Sequence, residues 1–104
     1  MGMKPLGIRW AAPAESDLAA LLSFIAFENP DAARQLFTRV MEAIEHAAAF
    51  PEMARYIPEL GQTYRELLSV RPFRVIYRIS GKELWVIGVM RMEQDFAPER
   101  FLEN

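Results

Sequence analysis

Four arginines fall in one short stretch of the sequence: Arg65, Arg71, Arg74 and Arg78, in YRELLSVRPFRVIYRI (64–79). A fifth, Arg91, follows in the next apolar run. A guanidinium is planar, permanently charged and forked, so it grips carboxylates and phosphates with paired donors. The same permanence makes it a poor general base. The chemistry these residues offer is therefore anion binding and charge stabilisation, not proton transfer. Other reactive groups are sparse. His46 is the single histidine and cysteine is absent, which excludes disulfides and Cys-ligated zinc or iron–sulfur sites. No metal set and no cofactor fingerprint is legible.

The arginine stretch is set in an acidic chain. Net charge is −2, unevenly spread. Residues 1–54 carry four Lys/Arg against seven Asp/Glu, or −3; residues 55–91 carry seven against three, or +4; residues 92–104 carry one against four, or −3. Two accounts fit such a basic middle. Its arginines meet an anionic partner, or they are solvated and paired with the acidic ends.

The elements that must position these residues follow from periodicity. With 104 residues, 52% apolar and 25% charged, the chain is expected to fold as one domain, 1–104. It lacks an apolar run long enough to span a membrane and a signal-peptide pattern at its start. The expected location is the cytoplasm, with no membrane partner. LGIRWAA (6–12) reads as a first strand. Pro13 then opens a helix whose Ala14, Leu18, Leu21, Leu22 and Ile25 share one face, although Ala11 and Ala12 offer no capping oxygen. Asn29-Pro30-Asp31 restarts the chain as a second helix: a cap, a proline at the first helical position and an acid at the positive end of the dipole. Ala33, Leu36, Phe37, Val40, Ile44 and Ala47 or Ala48 form its buried side. Residues 51–63 read as a loop. Strands are expected at 64–69, 73–80 and 84–90, the last two joined by a tight turn at Ser80-Gly81-Lys82.

In the strand from Phe73, residues Phe73, Val75, Tyr77 and Ile79 share one face, and Arg74, Ile76 and Arg78 the other. The second face is expected to be the outer, arginine-bearing side of a half-buried strand. Tyr77, alternating with core residues, reads as core, and Trp10 and Trp85 read as packing residues. A tail, 95–102, reads as one or two helical turns. The expected fold class is α+β. A helical hairpin packs on a small antiparallel sheet in the order β-α-α-β-β-β, with a short C-terminal helical tail.

This order, with DLAALLSFIAFENPDAARQLF (17–37), YRELLSVRPFRVIYRI (64–79), ELWVIGVMRMEQDF (83–96) and Trp10, resembles the RelE/ParE toxin superfamily of bacterial toxin–antitoxin modules. The resemblance spans most of the chain. It implies an antitoxin partner whose disordered segment folds across the toxin. It also implies one of two activities: cleavage of messenger RNA on the ribosome in the RelE-like branch, or inhibition of DNA gyrase in the ParE-like branch. RNA cleavage by a 2′-hydroxyl needs a base, an acid and positive groups for the phosphorane. By resemblance Arg65, Arg74 and Arg91 fall on basic positions of the RelE-like pattern. Its second strand lysine falls on Leu67, and its C-terminal tyrosine near Phe96 to Pro98, where no hydroxyl exists. Phosphate-binding charge survives without an acid–base pair, which disfavours the ribonuclease. NPDAA, RVIYRI and VMRMEQDF resemble the ParE-like branch more closely. Arg65, Arg71, Arg74, Arg78 and Arg91 are the candidate contacts for the target or the antitoxin. The family usually has polar residues on the outer face of the first helix, whereas this chain has Ala19, Ala20, Ser23 and Phe27. Phe27 is thus a candidate interface with an antitoxin or a second copy of the chain. A non-toxic module that keeps only antitoxin binding is a further alternative.

Overall fold

The computed structural model describes residues 4–102. Its elements are β1 (Gly7–Trp10), α1 (Ala12–Glu28), α2 (Pro30–Ala49), β2 (Arg55–Tyr56), β3 (Tyr64–Leu67), β4 (Phe73–Ser80), β5 (Glu83–Arg91) and α3 (Glu99–Leu102), with a 3-10 turn at Pro58–Leu60. The five strands form one sheet in the order β1-β5-β4-β3-β2. Among the described residues no helix is long and apolar enough to cross a membrane.

The helical hairpin forms as the sequence dictates. Asn29 ends α1, donating its backbone N–H to the Ile25 carbonyl, and starts α2, accepting from the Ala32 N–H at 3.0 Å. One residue thus closes one helix and caps the next. The start of α1 has no side-chain cap at Ala11, and Pro13, which lacks an N–H, reduces the number of free donors there. Ala14 and Leu18 from α1 and Leu36, Val40, Ile44 and Ala47 from α2 enter the main core against Val75, Tyr77, Leu84 and Val86 of the sheet. Phe37 does not join them; it stays 45% exposed on the outer side of the hairpin.

Two features of the sheet differ from the expectation. It is mixed, because β1 pairs parallel with β5, while the remaining pairings are antiparallel. Strand propensity reveals that 7–10 is extended but not which edge it takes. That is fixed at both ends of β1 by tertiary bonds, Leu6 N–H to the Ala48 carbonyl and Ala11 N–H to the Val86 carbonyl. The loop read at 51–63 also contributes the two-residue strand β2 and the 3-10 turn.

The expected solvent face of β4 is also covered. Ile76 is fully buried in a second apolar cluster with Ile57, Leu60, Met90 and Phe101. The 3-10 turn and α3 supply this cover. Gly88 makes room for it, since a Cβ there would lie 3.0 Å from the Phe101 ring. Asp17 of α1 ties the layer down, accepting the Val89 N–H at 3.1 Å and an ion pair from Arg100. β4 is therefore buried on both faces over its first half. Ile79, at its far end, is 37% exposed.

Removing a cap oxygen typically costs about 1 kcal/mol, and in a domain of this size that lowers the thermal midpoint by roughly 4–8 °C. Asn29→Ala should lose about that much, and Asn29→Asp should not. Thermal unfolding followed by circular dichroism compares them; equal midpoints for all three proteins would show that the cap is dispensable.

Candidate functional site

The strand register divides the candidate arginines between two faces. Arg65 pairs with Tyr77 and Arg91 with Phe73, both residues of the main core, so their side chains lie on the helix side of the sheet. Arg74 pairs with Met90 and Arg78 with Tyr64, on the side of the second cluster. Arg71 precedes β4 and is exposed. The five do not converge on one point. In particular Arg65 and Arg74, two of the three that the RelE-like resemblance would make catalytic, point to opposite sides.

Two of the five are also engaged within the chain. Arg65 donates to the carbonyls of Ala54 at 2.6 Å and Glu52 at 3.2 Å, and its guanidinium stacks on the Tyr56 ring at 3.9 Å. It holds the loop after α2 against β3. Arg74 is only 16% exposed and donates at 3.1 Å to Glu66, whose side chain is 1% exposed. Arg55 reaches the other oxygen of Glu66 at 2.7 Å. The guanidinium of Arg74 also sits over Phe96 at 5.2 Å, while its Nε is buried without a protein partner among the described residues. Glu66 is what allows Arg74 inside: a buried charge is tolerated only when paired and hydrogen-bonded. Glu66 was passed over in the sequence, because its place opposite Arg55 and diagonal to Arg74 is set by strand register, which no local pattern states.

The other three are freer. Arg71 uses its carbonyl, which accepts from Arg39 at 3.3 Å. Arg91 lies over Phe24 at 4.9 Å and 4.0 Å from Glu93. The Arg78 side chain has no ion-pair or hydrogen-bond partner among the described residues. Tyr77 is fully buried and donates its hydroxyl to the Pro51 carbonyl at 2.8 Å. Burial pushes that hydroxyl above its ordinary pKa, partly offset by Arg65 nearby. It is a core residue rather than a proton donor for a ligand. His46 packs its ring on Phe50, 5.0 Å between centroids.

The outer surface of the hairpin is the second candidate site. Phe27 is 90% exposed and Phe24 69%. Phe24 shares the face of Phe27, three residues away, and was missed although the run from Leu18 to Phe27 carries no charge. Along the other flank of α1, two grooves open against α2. One of about 330 Å³ is lined by Trp10, Leu18, Leu22, Phe37 and Met41; one of about 450 Å³ is lined by Leu22, Ala26, Ala33 and Phe37. A helix that is apolar around its whole circumference normally has neighbours on all sides. Here α2 and the sheet cover only part of it.

The family model described as ParE toxin of type II toxin-antitoxin system, parDE, matches residues 8–96. The chain belongs to this ParE toxin family. Among its relatives is a protein of Sinorhizobium fredii (strain NBRC 101917 / NGR234) described as "Putative toxin Y4kP". It is 31% identical over 90 residues, 86% of this chain and 91% of that protein. Among solved structures, the chromosomal ParDE TA system from P. aeruginosa contains a chain of the same fold. It superposes with a TM-score of 0.72 at 22% identity, covering 85% of this chain and 97% of that one. The ParE-family match takes in both candidate surfaces, from β1 to the residues after β5.

The buried carboxylate sets a testable cost. Glu66→Gln leaves Arg74 facing a neutral amide and should lower unfolding stability by about 3 kcal/mol. Arg55→Ala should cost under about 1 kcal/mol, because that side chain is 62% exposed. Urea denaturation of both variants decides it; a Glu66→Gln protein as stable as the parent would mean that the pair does not hold β3 to β4.

Proposed function

We propose that this ParE-family chain is the toxin of a type II toxin–antitoxin pair, that it inhibits DNA gyrase by binding it, and that the outer face of α1 receives the antitoxin. The observation that carries the binding mode is the disposition of the arginines. A phosphoryl-transfer site must bring charge, base and acid to one reacting group. In this chain Arg65 and Arg74 lie on opposite faces and hold the chain's own acceptors. Leu67, which by resemblance to the RelE-like pattern falls on a lysine position, packs against the main core. Such a surface can recognise a partner without transforming it. Family membership supports the toxin role, and the ParDE system that the fold resembles supports an antitoxin partner.

The α1 face suits that partner by its chemistry. Burying a phenylalanine is worth about 1.5–3 kcal/mol, so two exposed ones cost free energy in the lone chain that a complex recovers. An amphipathic segment laying an apolar stripe along α1 supplies the missing neighbour.

Two experiments test these readings. Induction of this chain alone in a bacterial host, with pulse labelling of DNA, RNA and protein, should show DNA synthesis failing first. Purified gyrase should then lose supercoiling activity when the chain is added. Protein synthesis stopping first would replace this reading with the ribonuclease; unimpaired growth would replace it with a non-toxic binding module. Separately, Phe27→Glu should weaken association with the cognate antitoxin at least about tenfold, the loss typical of a central aromatic contact. An unchanged affinity, or a change only in the mass of the free chain, would move the antitoxin elsewhere and leave α1 to a second copy of the chain.

A further inference from the structure

The face of the sheet away from the hairpin carries a row of alternating chemistry. Arg9 on β1 is the partner of Trp85 on β5, Trp85 of Arg78 on β4, and Arg78 of Tyr64 on β3. Residues directly opposite one another share a face of the sheet, so the four side chains cross four adjacent strands in one line. Leu84 and Val86, on either side of Trp85, enter the main core, which places the indole on the opposite side. Tyr64 marks where the row meets the second cluster, its hydroxyl donating to the Phe101 carbonyl at 3.2 Å. Beyond Tyr64 the row is more open. The Arg9 side chain is 60% exposed, and Trp85 and Arg78 are partly exposed. Arg9 shares its charge with Glu83 at 2.8 Å, and Arg78 has no partner among the described residues. The guanidinium–ring contacts among the described residues occupy Tyr56, Phe96, Phe24 and Phe101, none of them the indole of Trp85. Trp85, expected as a packing residue, is partly exposed in this row.

We infer that this row binds single-stranded nucleic acid, with a base stacked on Trp85 and the flanking phosphates held by Arg78 and Arg9. Neighbouring strands are about 4.8 Å apart, so each guanidinium starts one strand away from the indole. From there its long side chain reaches a phosphate beside a base lying on the ring. An aromatic platform in a cationic setting is how proteins hold single strands without reading their sequence. The cations of the row itself are Arg78 and Arg9, the second shared with Glu83. A duplex keeps its bases stacked on one another and offers none to Trp85. A peptide would use an apolar anchor pocket or the open edge of β1; among the described residues the apolar grooves lie elsewhere, beside Phe37 and Met41 and beside Phe50 and Met53, and the row runs across the strands rather than along that edge. The inference is independent of gyrase as the target.

The test is fluorescence anisotropy of a dye-labelled oligothymidylate of about ten nucleotides with the whole chain, beside an oligouridylate and a duplex. Saturable binding to either single strand, weaker binding to the duplex, and a log–log salt dependence are expected. Trp85→Ala should weaken binding about five- to hundredfold, while Trp85→Phe, which keeps a stacking ring, should stay within a few-fold. Arg78→Ala should reduce the salt slope by about 0.7, one phosphate contact of a single strand. Circular dichroism checks the fold of each variant, and Arg78→Ala decides the matter alone if Trp85→Ala does not fold. Absence of binding at low salt, equal affinity for the duplex, or an unchanged salt slope in Arg78→Ala would each overturn the inference. So would Trp85-dependent binding of an acidic peptide with none of the oligonucleotides, which would give the face to a protein partner.

Discussion

The antiparallel pairing of β4 with β5 is the constraint from which the rest of the molecule takes its position. Eight residue pairs join these strands, closed by a turn in which Gly81 has φ +61°, a conformation that a side chain would strain. Every other element is placed relative to this hairpin. β1 docks parallel on the outer edge of β5, β3 pairs with β4, and the helices cover one face through Tyr77, Val75 and Leu84. The ladder skips a residue of β5 between the partners of Ile76 and Tyr77. Such a bulge bends the strand, and it lies beside Gly88, the position that admits Phe101. The bend and the missing side chain together seat the second layer.

That second layer decides what the arginines can do. A strand open to water on one side would present Arg74 and Arg78 alike. Because the 3-10 turn and α3 cover the first half of β4, Arg74 is enclosed and needs the carboxylate of Glu66, whereas Arg78, past the edge of the cover, does not. The same residue type on the same face therefore does two jobs, one structural and one available to a partner. Enclosing Arg74 takes its charge out of water and leaves its Nε without a protein partner among the described residues, which costs free energy. The charge of Glu66 and the ring of Phe96 offset it.

Much of this was legible in the sequence. The hairpin could be read because Asn29-Pro30-Asp31 ends one helix and starts another by local chemistry alone. β4 could be read because its alternation has period two, and Tyr77 was correctly placed in the core by it. What could not be read depended on contacts distant in sequence. The parallel seat of β1 rests on backbone bonds to Ala48 and Val86. The cover on the second face rests on a four-residue helix that has no periodicity of its own. Phe37 fits the buried stripe of α2 by spacing, yet α1 crosses so as to leave it at the rim of two grooves. The grouping of arginines was visible, but their division between faces emerged only from register, since Arg65 and Arg74 belong to different strands whose offset no local pattern states.

The two candidate surfaces lie on opposite sides of the sheet. Phe24 and Phe27 project from the hairpin, and Trp85 and Arg78 from the uncovered part of the other face. A partner seated on α1 therefore does not displace a ligand on the sheet row by simple overlap. Neutralisation by such a partner would have to act in one of two ways. It could extend around the edge of the sheet, for which an unstructured segment is suited, or it could block a larger target that needs both sides at once. The connections favour the first route near Arg91. That residue stacks on Phe24 of α1 while its neighbours in β5 run under the second layer, so it stands where the two faces meet. A chain passing from α1 toward the sheet row along this edge would encounter it first, and its carboxylates would find a guanidinium whose ion-pair partner among the described residues is the exposed Glu93 at 4.0 Å.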